Sequence, residues 1–133
     1  MKSLALAAIL VPALLSPAFA QGVGWVGATW LVEDIGGRGV IDNAQTTLRI
    51  DADGKVSGST GCNRYFGKAI LDGATLRFGP LATTYRACPP ALADQERKFL
   101  AALKEARTAR RDAMGRLQIL TGKGKALLTL TRM

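Results

Sequence analysis

Asp51 and Asp53 are separated by one residue, and paired carboxylates can divide general-acid and general-base work when their surroundings separate their pKa values. The same stretch, Asp51-Ala52-Asp53-Gly54, resembles the start of a calcium loop. The ligand positions that should follow hold Lys55 and Ser57, and no terminal Glu completes the loop, so a turn is the stronger reading. Glu33-Asp34 is a second pair, but neighbours on a strand point to opposite faces and do not address one reacting atom. The chain contains no histidine. That excludes a Ser-His-Asp triad, a Cys-His pair and imidazole ligation of zinc. Two cysteines, Cys62 and Cys88, are too few to hold a metal by thiolate alone. No metal or cofactor is expected, and no residue is assigned a catalytic role.

The most distinctive segment is Val56-Ser57-Gly58-Ser59-Thr60-Gly61-Cys62-Asn63-Arg64-Tyr65-Phe66-Gly67. Glycines flanked by strand signals imply a tight bend or a close backbone approach. Asn63 suits a left-handed conformation or the capping of nearby amides. Asn63, Arg64 and Tyr65 are therefore candidates for an interaction surface at this bend. Neither Gly36-Gly37-Arg38-Gly39 nor Gly122-Lys123-Gly124-Lys125 feeds a helix, so both read as loops and not as phosphate cradles.

Positive charge is the other chemical signal. Lys and Arg number 18 against 10 Asp and Glu, a formal charge of +8. Arg97, Lys98, Lys104, Arg107, Arg110, Arg111 and Arg116 gather much of it, with Arg107, Arg110 and Arg111 the densest run. Such a patch suits an anionic envelope surface or an envelope protein. Asp94, Glu96, Glu105 and Asp112 interrupt it, and no aromatic stacking platform accompanies it. Nucleic acid is not expected as a partner; a solvated helix face is the plainer alternative.

The N-terminus bears on all of this. Met1-Lys2-Ser3 supplies a charge, Leu4 to Leu15 is apolar apart from Pro12, and Ser16-Pro17-Ala18-Phe19-Ala20 places small residues where a signal peptidase needs them. Residues 1–20 read as a secretory signal cleaved after Ala20. The alternative, a membrane anchor, is disfavoured because the apolar run falls short of the roughly 20 residues that span hydrocarbon. The expected location is periplasmic or secreted, with no membrane span. Lipidation would require a cysteine at the cleavage site, and the first is Cys62. In an oxidising compartment two thiols in a small domain most often pair, closing a loop worth about 3.5 kcal/mol in the chain-entropy treatment. Two separate buried thiols are the alternative.

The elements that must position these residues follow from periodicity. Residues 21–27 are a lead-in, and 28–133 hold one domain. Thr29–Ile35 is rich in aromatic and β-branched residues and predicts a strand. Thr46–Asp51 alternates polar with apolar, Asp53-Gly54 supplies a hairpin turn, and Lys55–Ser59 returns antiparallel. Arg64–Leu71 and Ala74–Phe78 form a second hairpin about Asp72-Gly73. Pro89-Pro90 opens a helix over Ala91–Ala106 whose apolar stripe is Leu92, Phe99, Leu100, Leu103 and Ala106, with Gln95 and Glu96 on the polar remainder. Arg107–Asp112 reads as a polar connection, and Leu117–Leu120 and Ala126–Leu130 as two closing strands. The expected fold is α+β: a mostly antiparallel sheet, curved or closed into a barrel, with one amphipathic helix.

With these residues in view, Gly58–Gly67 is similar to the Gly-Cys-Asn signature of the META/HslJ family. Leu76–Cys88 resembles its second motif. Trp30-Leu31, Glu96 with Phe99-Leu100 and Leu103, and the two final strands follow in the family's order, so the likeness spans about 28–132. Tyr85 departs from the pattern where Met is common, and the missing lipobox departs from the lipoprotein form. The resemblance implies a small, mostly β fold with one helix, in exported or envelope proteins tied to heat shock, resistance to an antibiotic such as novobiocin, or virulence. It supplies no catalytic residues. The expectation is a monomeric, non-enzymatic exported protein that binds or protects envelope components under stress. An inhibitor or docking module for an envelope partner is one alternative. A carboxylate-dependent hydrolase is another, and the weakest.

Overall fold

The computed structural model describes residues 3, 5, 7–9 and 24–133. Apart from those isolated positions, the expected leader, including its cleavage point after Ala20, lies outside the described residues. From there the chain forms β1 (Thr29–Ile35), β2 (Thr47–Ile50), β3 (Lys55–Ser59), β4 (Arg64–Asp72), β5 (Thr75–Thr83), α1 (Pro90–Glu105), β6 (Thr108–Arg111), β7 (Leu117–Leu120) and β8 (Ala126–Arg132). Every neighbouring pair is antiparallel, and β1 pairs with β8, so the eight strands close into a barrel in chain order. Closure gives every strand a neighbour on both sides, so no strand is a free edge along its whole length. The α+β expectation, with a barrel-like antiparallel sheet and a single helix, is what the described residues show.

Alternation fills the barrel. Trp30 and Val32 on β1, Leu48 and Ile50 on β2, and Val56 on β3 point inward, each no more than 2% exposed. Leu117, Ile119, Leu128 and Leu130 meet them from β7 and β8. Trp25 joins this core from the lead-in. Its carbonyl accepts the Trp30 indole N–H at 2.8 Å, and the Gly27 amide donates to the Ile50 carbonyl at 2.8 Å. Trp25 and Gly27 thus tie the lead-in to the barrel.

The two Asp-Gly turns fall where the sequence places them. Gly54 and Gly73 both have positive φ, at 89° and 58°, as such turns require. Asp34 spends its carboxylate on the first glycine loop, accepting the Gly37 and Gly39 amides at 2.7 Å each.

Helix α1 touches β1, β8 and β5. Because β5 and β8 lie well apart around the ring, a helix reaching both crosses one mouth of the barrel. Phe99 and Leu103, both 0% exposed, push down into that mouth. The helix begins at Pro90 without a side-chain cap; the Pro89 carbonyl accepts the Leu92 and Ala93 amides instead. Pro at the first position costs nothing there, since its missing N–H has no helical acceptor.

Three features differ from the sequence reading. Thr108–Arg111 is strand β6, not a polar connection. Only Ala109 points inward, so alternation is invisible, and the segment is recruited by four registered pairs with β7, from Thr108↔Leu120 to Arg111↔Leu117. Strand β5 runs past Phe78 to Thr83, carrying Gly79-Pro80 through a register shift between Gly67 and Ala69 of β4. Such a bulge tolerates a residue without an N–H. Gln95 is buried rather than solvated. It accepts the Ile41 amide at 2.8 Å and donates weakly to Thr46 Oγ1 at 3.4 Å, tying α1 to the β1–β2 connection.

Candidate functional site

The Gly58–Gly67 segment is the end of β3, a tight bend and the start of β4. The Thr60 amide donates to the Asn63 carbonyl and the Asn63 amide returns to Thr60 Oγ1, both at 2.8 Å. Gly61 takes the left-handed conformation the bend needs, φ 91°, one of the two roles the sequence suggested for Asn63. Asn63 is instead a buried polar link. Its Nδ2 donates to Glu96 Oε2 at 2.9 Å, and its Oδ1 accepts the Thr84 hydroxyl at 3.2 Å. The Thr60 hydroxyl donates to the same Glu96 oxygen at 2.5 Å. Glu96, on the helix face expected to meet water, therefore gathers the bend onto α1. Charge-assisted bonds of this kind are roughly twice as strong as neutral ones.

Cys62 and Cys88 form a disulfide, with their Cα atoms 6.0 Å apart. It fastens the bend to the residue before Pro89-Pro90. Glu96 from one side and the disulfide from the other thus hold the same four-residue corner.

Tyr65 points into the barrel and is 1% exposed. Its hydroxyl donates to the Thr47 carbonyl at 2.5 Å, reaching it through space that a side chain at residue 58 would fill. A Cβ on Gly58 would overlap both the Thr47 oxygen and the Tyr65 hydroxyl, which is why glycine is needed there. Of the three candidates at the bend, Asn63 and Tyr65 are structural, and Arg64 alone presents its side chain to solvent.

Burial pushes the Tyr65 phenol well above its ordinary range. The unfolded phenol ionises near pH 10 while the folded one resists, so this residue draws stability down as pH rises beyond that point. Tyr65→Phe is expected to cost about 1 kcal/mol near neutrality through the lost hydrogen bond. That deficit should shrink as pH rises, which urea melts of both proteins at about pH 8 and about pH 11 would register. A deficit independent of pH would contradict the assignment.

The basic segment is largely spent within the fold. Arg107 donates to the Lys104 and Ala106 carbonyls at 3.2 and 2.7 Å, closing the C-terminal end of α1, where a cation also suits the helix dipole. Arg110 reaches Gln118 across the β6–β7 pair at 3.2 Å. The Arg111 guanidinium donates to the Gly115 carbonyl and lies 5.1 Å from the centroid of the Trp30 ring. On α1, Lys98 bonded to Asp94, with Arg97 beside it, holds that carboxyl below the usual carboxylate range.

The carboxylates considered for acid–base work have local partners too. Asp51 pairs with Arg49 at 2.9 Å, and Asp53 accepts the Lys55 amide at 3.0 Å. Among the described residues, no three His, Cys, Asp or Glu side chains gather as a metal site. No described helix is long and apolar enough to cross a membrane.

What sequence reading missed is the outer face of β2, β3 and β4. Register places Thr29, Arg49, Ser57 and Phe66 in one row across four strands, and Ser59 opposite Arg64 in the next. Beside Gly58 this face sinks into a cleft of about 720 Å³ lined by Thr29, Thr47, Arg49, Ser57, Ser59, Arg64, Tyr65, Phe66 and Thr84. Arg49 was legible as the outward residue of Thr47-Leu48-Arg49-Ile50, but its neighbours appear only once the register is known.

Comparison with known proteins agrees with this architecture. The model of the META domain family matches residues 24–133. An NMR structure of a protein from Burkholderia xenovorans is similar, at 26% identity and a TM-score of 0.69 over 86% of this chain and 88% of that one. A second NMR structure is 25% identical with a TM-score of 0.61, covering 78% of this chain and 87% of its own. No curated protein matches the chain. With the matched span covering all of the barrel, its helix and the stapled bend, the chain belongs to the META domain family.

Proposed function

We propose that this META domain protein is an exported, non-enzymatic protein that acts by contact, binding or protecting cell-envelope components under heat or antibiotic stress. The observation that carries this reading is where the polar groups of the Gly-Cys-Asn corner go. Thr60, Asn63 and Glu96 satisfy one another, and the disulfide fixes the corner from outside. Groups committed to holding a rigid surface suit recognition better than turnover. The secretory character of residues 1–20 and the pairing of Cys62 with Cys88 support an oxidising location. A docking module for an envelope protein is the second reading, favoured by Phe66 and Ile70, which stand 53% and 67% exposed on the outer face of β4.

Cells lacking the chain are expected to survive heat or novobiocin less well and to recover with the full-length form. A form lacking residues 1–20 should not restore survival. Equal survival of all these strains would overturn the proposal, and rescue by the leaderless form would overturn its export.

A further inference from the structure

We infer that the cleft on the outer face of β2–β4 binds a saccharide carrying an oxyanion, a carboxylate or a phosphate, with Arg64 and Arg49 taking the charge and Phe66 the sugar ring. The inference deepens the envelope-contact reading and rests on it for the setting in which the ligand is met. The chemistry comes from the cleft itself.

Three properties of the lining point to this ligand class. The first is charge. Arg64 is exposed and makes no ion pair among the described residues. Arg49 gives its Nε to Asp51 and keeps its two terminal nitrogens for another acceptor. A guanidinium fork matches carboxylate and phosphate oxygens, and it is less tightly hydrated than an ammonium. Strand spacing puts the two Cα atoms about 12 Å apart, two strands across and two residues along, a gap that these long side chains narrow from both ends.

The second is the aromatic. Phe66 lies in the same row as Arg49 and Ser57 and shows half its surface to water, with polar neighbours on that row. A pyranose has an apolar C–H face and a hydroxyl rim. A lone exposed ring flanked by short hydroxyl side chains complements both. Ser59 Oγ accepts the Gly61 amide and has its proton to donate, while Ser57 stands opposite Phe66.

The third is what the lining lacks. No aliphatic side chain lines this cleft, so an acyl chain finds nothing to pack against. The contrast is the groove of about 530 Å³ between β5 and α1, walled by Phe78, Pro80, Leu81 and Leu100. Of its two aromatics only Phe66 is exposed, Tyr65 being buried, so the cleft offers no run of stacking platforms for successive bases.

Titration of the purified protein, followed by amide chemical shifts, tests the assignment. The probes are trigalacturonate, glucose 6-phosphate, neutral maltotriose, inorganic phosphate and hexathymidylate. Shifts at Arg49, Ser57, Ser59, Arg64 and Phe66 are expected with trigalacturonate or with glucose 6-phosphate, and the stronger of the two identifies the anion. Maltotriose and inorganic phosphate should each bind at least about tenfold more weakly. Arg64→Ala and Phe66→Ala, both at exposed positions, should each weaken the better saccharide by about tenfold or more while leaving the rest of the spectrum unchanged. No shift in the cleft up to the order of 10 mM, equal binding of phosphate alone, or tighter binding of hexathymidylate would each overturn it. Failure here with stress protection intact would remove the ligand but not the envelope-contact reading. Binding without any stress phenotype would do the reverse.

Discussion

Replacing Cys62 and Cys88 together by serine is expected to lower the free energy of unfolding by about 3.5 kcal/mol. The bridge joins residues 26 apart in sequence, and in the chain-entropy treatment its main effect is on the unfolded chain, which loses the freedom to open that loop. For a domain of this size the melting temperature should fall by roughly 10–20 °C. The native state contributes as well. Cys62 is 9% exposed, and the Asn63 side chain lies against its sulfur at 3.3 Å, so an unbridged hydroxyl would sit in a site shaped for sulfur. Urea unfolding of the oxidised protein and the double-serine variant measures this directly. An unchanged midpoint would mean that Glu96 alone holds the corner. A lower midpoint with a shallower slope would mean that the variant's unfolded state is not more open.

Phe99→Ala is expected to cost about 3–5 kcal/mol, the range for deleting a large buried aromatic. Phe99 is fully buried where α1 crosses the barrel mouth, and it meets Tyr65 edge to face with centroids 5.4 Å apart and planes at 68°. The loss is therefore not confined to one methylene-lined hole. It uncouples the helix from β4, and through Tyr65 from the Thr47 carbonyl that the phenol reaches. Combining Phe99→Ala with Tyr65→Leu, which removes the second ring, should cost less than the separate losses added, because the two rings share one contact. Thermal melts of the two single variants and the double variant check both statements. Additive losses would show that the rings stabilise the protein independently.

How much of this was readable beforehand depends on whether a residue's partner is near it in sequence. The β2–β3 hairpin was legible because Asp53-Gly54 and the alternation on either side are local. The helix was legible because Pro89-Pro90 marks its start and Phe99 and Leu103 share a face. Gln95 and Glu96 were not. A polar residue on an amphipathic helix reads as solvated, and their partners, the Ile41 amide and Asn63, lie 54 and 33 residues away. Strand β6 was hidden because one inward alanine makes no pattern.

The bend was half legible. Its glycines and the Cys62–Cys88 pairing followed from composition and the export expected of the N-terminus, but the orientation of Tyr65 did not. On β4, Tyr65, Ala69 and Leu71 alternate with Phe66 and Ile70, so both faces look apolar and parity alone cannot choose. Only the outward turn of Phe66 and Ile70 resolves it. That outward turn is also what leaves an aromatic in the cleft.

The junction of β5 with β6 carries a consequence of its own. These strands share one registered pair, Thr75↔Thr108, whereas β5 is matched to β4 over most of its length. Beyond Leu76, whose amide still donates to the Arg107 carbonyl at 2.9 Å, no described strand is registered against the far side of β5. An unmatched stretch of backbone ordinarily invites a strand from another molecule, the first step towards fibrillar assembly. Here Gly79-Pro80 interrupts it, since proline offers no amide to an incoming chain and the bulge bends the strand away. Helix α1 lies over β5, with Leu100 and Lys104 across the groove from Phe78, Pro80 and Leu81. The seam at which the cylinder is least tightly sewn is thus also the one least able to recruit a stranger.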